Sequence, residues 1–160
     1  METVCFTGHR DIGDLEHAWL WKALQEEVER CILSGATVFR AGGALGFDTM
    51  AASCVLQLKE KYPEIKLALY LPCPDQAKGW RADSVRLYEE IKQRADSIEY
   101  ISPFYFRGVM QKRNRTLVEG ADLCIAFLRE EASGGTAYTV SYAQKRSVPV
   151  INLENSRTAL

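Results

Sequence analysis

The sequence has no Cys-x-x-Cys pair, no cluster of histidines, no long tract of one charge and no low-complexity stretch. Its five cysteines, at 5, 31, 54, 73 and 124, are odd in number and widely spaced, which argues against a disulfide framework and a zinc site. Most of them fall inside apolar patterns, where cysteine behaves as a small hydrophobe and a reducing compartment suits it. Only two histidines occur, His9 and His17, with no second ligand near either, so no metal is expected. No apolar run approaches the ~20 residues that span a bilayer, and the opening Met-Glu-Thr-Val-Cys lacks the basic start of a leader. The expectation is a cytoplasmic protein with no membrane partner. The formal charge of −1 supplies no global attraction to nucleic acid.

What is present is a chain of 160 residues, 47% apolar and 26% charged, the size of one domain with one core. Short apolar runs alternate with longer segments of helical period, the pattern of βαβ units. Strands are predicted at Thr3–Thr7, Thr37–Ala41, Ile65–Leu71, Ser97–Ile101, Asp122–Leu128 and Val148–Asn152. Helices are predicted over 15–33, from after Asp48 to Lys61, over 84–94, over 109–119, and from the Ser133–Thr136 turn to Lys145. The fold class is therefore α/β: a Rossmann-like, doubly wound, mostly parallel sheet of about six strands with helices on both faces. Residues 1–153 form the single domain, and 154–160 are expected to be a loose tail.

In such a sheet, ligands bind beyond the carboxyl ends of the strands, where strand order reverses. Three glycine-bearing loops lie between a strand and a helix: Thr7-Gly8-His9-Arg10, Gly42-Gly43-Ala44-Leu45-Gly46, and Gly134-Gly135-Thr136. Glycine lets backbone approach a ligand closely, and free N–H groups at a helix start favour an anion, phosphate above all. Tight turns alone would explain any one of these loops; three at one sheet edge favour a ligand site. The middle loop is not a dinucleotide fingerprint, since G-x-G-x-x-G would need glycine where Ala41 stands.

Other candidates sit beside these loops. Arg10 is read as a phosphate clamp, and Arg113 and Asn114 as holding a phosphate, a ribose or the neighbouring loops. The helix from Val109 is read with Met110, Leu117 and Ala121 on its apolar face, which places Asn114 inward and Arg113 beside it. Asp48 either caps the second helix or accepts a ribose hydroxyl. Trp80 and Tyr105 either stack on a base or pack. No catalytic residue is assigned, and His9 has no visible partner for acid–base work.

The segments Cys5–Arg10, Ala41–Asp48, Leu71-Pro72-Cys73-Pro74-Asp75-Gln76, Arg113-Asn114-Arg115 and Gly134-Gly135-Thr136, in this order, resemble the YpsA-like family. That family belongs to the SLOG superfamily, with the DNA-processing protein DprA (Smf) and the LOG phosphoribohydrolases, and the likeness runs from about Val4 to Asn152. It implies a Rossmann-like fold that binds a nucleotide or a nucleotide-derived, ADP-ribose-like ligand. DprA-like relatives share the Gly46-Phe47-Asp48, Arg113-Asn114-Arg115 and Gly134-Gly135-Thr136 segments and bind single-stranded DNA on a basic surface. Nucleic acid is open here but not favoured by the charge. LOG enzymes cleave a ribose–base bond with a P-G-G-x-G-T-x-x-E turn. This chain reads Ser133-Gly134-Gly135-Thr136-Ala137-Tyr138-Thr139-Val140 and lacks the glutamate, and the oxocarbenium-like transition state wants a carboxylate. A ligand-binding or sensing protein is the first reading, a hydrolase or single-strand binder the alternative. A homo-oligomer through helices is left open.

Overall fold

The computed structural model describes residues 1–159. Six strands, β1 (Thr3–Gly8), β2 (Val38–Ala41), β3 (Lys66–Leu71), β4 (Ser97–Tyr100), β5 (Leu123–Phe127) and β6 (Val150–Asn152), alternate with five helices. These are α1 (Asp14–Leu33), α2 (Phe47–Lys61), α3 (Ala82–Arg94), α4 (Val109–Val118) and α5 (Gly135–Lys145). The strands form one sheet in the order β4-β3-β2-β1-β5-β6, and all five pairings are parallel. The chain builds outward from β1 to β4, then crosses back to lay β5 on the other side of β1. Strand order therefore reverses between β1 and β5, and the crevice of a doubly wound sheet opens there.

The alternation of side chains along each strand sorts them between two cores. Val4 and Phe6 of β1 join Leu123, Ile125 and Phe127 of β5 under α1 and α2, while Cys5 and Cys124 face Leu117, Val118 and Ala143 of α4 and α5. Every residue of β5 is buried, as a strand covered on both faces must be. All five cysteines are free thiols and buried. No helix among the described residues is long and apolar enough to cross a membrane.

Residues 154–159 correct the expectation of a loose tail over 154–160, whose last position lies outside the described residues. Leu153–Ala159 is a 3-10 helix. Leu153 is buried in the main core, and Arg157 lies 5.5 Å over the Trp19 ring of α1 while pairing with Glu16 and Glu154. One aromatic and one ion-paired contact dock what composition alone reads as unstructured. β6 is also shorter than expected. The Val148 N–H turns back to the Ala143 carbonyl at the end of α5, so pairing starts only at Val150.

Two loops interlock at the carboxyl edge. The N–H of Phe47 donates to the His9 carbonyl at 3.0 Å, and a Cβ on Gly46 would lie 2.3 Å from the Arg10 carbonyl oxygen. Gly46 also has φ +76°, a conformation that costs a residue with a Cβ strain of its own. Gly46→Ala is expected to destabilise the fold by at least about 2 kcal/mol, lowering the thermal midpoint by roughly 4–8 °C. A calorimetric midpoint within 1–2 °C of the parent would contradict this interlock.

Candidate functional site

The β1–β5 crevice holds a cavity of about 340 Å³. Thr7, Gly8, His9, Arg10 and Asp11 line it from the β1 exit, and Arg129 from the β5 exit. Ala44 and Asp48 come from the start of α2, Met110, Arg113, Asn114 and Leu117 from α4, and Ser133, Gly135 and Thr136 from the start of α5. Nine of the thirteen ligand-binding candidates thus meet in one place. Gly42, Gly43, Gly46 and Gly134 do not line it. A Cβ at Gly42 would meet the Arg113 guanidinium at 2.7 Å, and one at Gly43 the Leu71 side chain at 2.5 Å. Gly42, Gly43 and Gly46 serve the packing of the loops instead.

α5 presents its amino end to the cavity. No side chain caps it, its first turn holds no acid, and a Cβ on Gly134 would meet nothing within 4 Å. The exposed Arg10 takes part in none of the ion pairs of the described residues. Three guanidinium groups, of Arg10, Arg113 and Arg129, line the cavity against the carboxylates of Asp11 and Asp48. Open helix N–H groups beside Arg10, which no carboxylate of the described residues pairs, suit an anion.

Arg113 differs from its expected placement. Val109, Arg113, Leu117 and Val118 are the buried positions of α4, the first three spaced four apart along one face, with Asn114 only half-buried. Arg113 is 4% exposed. Its Nη1 donates to the Gly42 carbonyl and to Gln76 Oε1 (3.4 Å), and its Nε to Asn114 Oδ1 (2.9 Å). Three protein acceptors thus engage two of its nitrogens. Asp48 does not cap α2 either: Gly46 stands at the cap position, and Asp48 Oδ2 accepts the Ala44 N–H at 3.2 Å, closing the Gly42–Leu45 loop. Burial pushes the Asp48 carboxyl up, against the pull of Arg113, the Ala44 N–H and Arg10. Burial likewise lowers Arg113, against the pull of Asp48.

Arg129 was not among the sequence candidates. It stands two residues past β5 at the switch point, the one positional signal that could have found it. Its guanidinium donates to both oxygens of Glu16 (3.0 and 2.7 Å) and to the Asp11 carbonyl (2.6 Å). Glu16 also takes the Gly13 N–H at 3.0 Å, and its pKa falls to about 2, chiefly through the Arg129 bond. The Arg129 backbone N–H donates to His9 Nε2 at 2.9 Å. With that lone pair engaged, His9 is the neutral Nδ1–H tautomer and is poorly placed as a base. Burial lowers its pKa below 6.5, helped by the Arg129 charge.

Trp80 and Tyr105 lie outside this cavity. They line a neighbouring one of about 600 Å³ with Pro72, Cys73, Asp75, Gln76 and Lys78, and it shares Arg10 and Met110 with the first. Trp80 meets Tyr88 edge-on at 5.2 Å. Among the described residues no three His, Cys, Asp or Glu side chains gather as a metal site would need.

The pattern of the YspA SLOG family matches residues 5–152. The chain is 28% identical over 155 residues to a UPF0398 protein of Halalkalibacterium halodurans, covering 91% of this chain and 82% of that one. It is 30% identical over 127 residues to a UPF0398 protein of Bacillus thuringiensis, covering 78% and 69%. Among solved structures, it resembles DNA processing protein A of Helicobacter pylori, described by its single-stranded DNA binding mode. The TM-score is 0.64 at 22% identity, over 93% of this chain and 63% of that one, so the chain spans under two thirds of that protein's length. It also resembles TM1055, with a TM-score of 0.58 at 16% identity, over 94% of this chain and 72% of the other. At these identities the two structures show the fold alone.

The His9 contact has a pH consequence. A depressed histidine pKa means the unfolded chain binds more protons in the window below 6.5, so this contribution is fully present above 6.5 and is lost as pH falls through the folded pKa. NMR titration of the imidazole is expected to give a midpoint below 6.5 and the Nδ1–H tautomer, with Arg129→Ala moving the midpoint upward. A midpoint at or above 6.5 in the parent protein would overturn the assignment.

Proposed function

We propose that this chain, which belongs to the YspA SLOG family, binds a nucleotide or a nucleotide-derived phosphorylated ligand in the crevice between β1 and β5. One observation carries this reading. The uncapped start of α5 and Arg10, which pairs with no carboxylate of the described residues, border the same cavity, from opposite sides of the strand-order reversal. A phosphate there accepts from the α5 backbone N–H groups and from Arg10, both of which supply donors without first breaking a protein contact. The half-buried Asn114, close to Gly135, and the buried Asp48 also line the cavity and supply the amide and carboxyl groups that ribose hydroxyls pair with.

The division of labour among the arginines follows from burial. Arg113 holds the Gly42 carbonyl and thereby the second loop, and Arg129 holds the first loop through Glu16 and the Asp11 carbonyl. Arg10 is left to meet the ligand. Binding without turnover is the reading favoured here. The acids of the cavity are Asp11 and the buried Asp48, and His9 gives its lone pair to a backbone N–H. Single-stranded DNA is the second reading, favoured by the fold shared with the Helicobacter pylori protein.

Thermal unfolding against inorganic phosphate, nucleoside mono- and diphosphates, ADP-ribose, NAD and a short single-stranded oligonucleotide tests both. A ligand at a hundred times its Kd adds about 2.7 kcal/mol, raising the midpoint by roughly 5–10 °C. Arg10→Ala is expected to weaken nucleotide binding by about 10-fold or more while leaving the unliganded midpoint near its parent value. A shift with the oligonucleotide alone, falling steeply with salt, moves the assignment to single-strand binding. No shift with any phosphorylated compound would overturn the site.

A further inference from the structure

We infer that the two cavities are one divided site, and that it takes a nucleoside diphosphate carrying a second sugar on its terminal phosphate. The inference rests on the binding role just proposed and extends it to a class of ligand. The first cavity, about 340 Å³, is at the small end for a ligand pocket. Among its lining residues only Phe6 and His9 carry rings. Phe6 is fully buried, and the His9 ring packs edge-on against Phe127 at 5.5 Å. Its groups are those that hold phosphate and hydroxyls: the α5 start, Asn114 and Asp48. A sugar phosphate matches this chemistry, and a base finds no platform in it.

The second cavity, about 600 Å³, has the complementary character. Tyr105 is 66% exposed, and the half-buried Trp80 is braced by the core and by a T-shaped contact with Tyr88 at 5.2 Å. Such rings stack on any base, while Asp75, Gln76 and Lys78 supply acceptors and donors for its edge and for a ribose. The two chambers meet at Arg10 and Met110, which line both. Arg10, which takes part in none of the ion pairs of the described residues, therefore stands at the junction, where the diphosphate of a two-part ligand would pass.

Gln76 ties the chambers together. It lines the second, donates to the Tyr88 hydroxyl at 3.3 Å, and accepts from Arg113 of the first at 3.4 Å. A nucleoside monophosphate leaves one chamber empty; a nucleoside diphosphate sugar reaches both.

The test is a calorimetric titration of the intact chain with ribose 5-phosphate, AMP, ADP-ribose and UDP-glucose. ADP-ribose or UDP-glucose is expected to bind at least 10-fold more tightly than ribose 5-phosphate. Trp80→Ala and, independently, the exposed-site variant Tyr105→Ala are expected to remove roughly 5- to 100-fold of that affinity. Ribose 5-phosphate binding should stay unchanged, and Trp80→Phe should retain most of the gain. Quenching of tryptophan emission by ADP-ribose, absent in Trp80→Phe, reads the stacking directly. If ribose 5-phosphate binds as tightly as both diphosphate sugars, or if the gain survives both alanine variants, the divided site is overturned while the phosphate crevice stands. If no probe binds, both fall.

Discussion

The interlock of the first two strand-exit loops is the contact on which the crevice depends. A Cβ on Gly8 would lie 2.3 Å from the Phe47 ring, and one on Gly46 the same distance from the Arg10 carbonyl. Each loop therefore gives up a side chain so that the other can pass. The Phe47 N–H then fixes the approach on the His9 carbonyl. Beneath it, Phe47 packs between Phe6 and Phe127 with ring centroids 6.4 and 6.2 Å away, tying the loops to the two strands flanking the switch point. A displacement of either loop would disturb this packed aromatic layer, and dense interiors tolerate little of that.

Around this contact, polar groups do the positioning that apolar burial cannot. Arg129 joins the β5 exit to the β1 loop and to the first turn of α1 through Glu16, and Arg157 reaches the same carboxylate from the terminal 3-10 helix. Asn152 bonds both the N–H and the carbonyl of Leu128, so β6 fixes the place from which Arg129 extends. The buried Arg113, with Gly42, Gln76 and Asn114 as its acceptors, does for the second loop what Arg129 does for the first. A charge this deeply buried is tolerated only with such partners. The outcome is a cavity whose inner arginines are committed to the scaffold and whose outer one, Arg10, is not.

The electrostatics of the crevice follow from this arrangement. Asp48 is buried enough for its carboxyl to be pushed up, and Arg113, Arg10 and the Ala44 N–H oppose that push. Glu16, with two donors from Arg129, is driven the other way and stays ionised throughout the physiological range. Asp48 and Glu16 thus serve different ends: one holds a loop through a backbone N–H, the other holds an arginine.

The period of the apolar runs was enough to predict a parallel α/β sheet and its six strands, because a strand covered on both faces leaves an unbroken apolar segment and β5 is such a strand. Glycine placement marked the three loops of the carboxyl edge, since only glycine fits where backbones cross or a helix start stays open. Which of those glycines border a cavity was not legible in the sequence. Gly42 and Gly46 read the same as Gly135 until the side chains and carbonyls of distant segments are set against them. The roles of the arginines were beyond it for the same reason. Arg113 faces inward because Val109 and Leu117 set the buried face of α4, and Arg129 acts on Glu16, 113 positions away in the chain. Periodicity and turn chemistry are local and survive in one dimension. Burial, which decides whether a charged group holds the scaffold or meets a ligand, exists only once the loops have closed on one another.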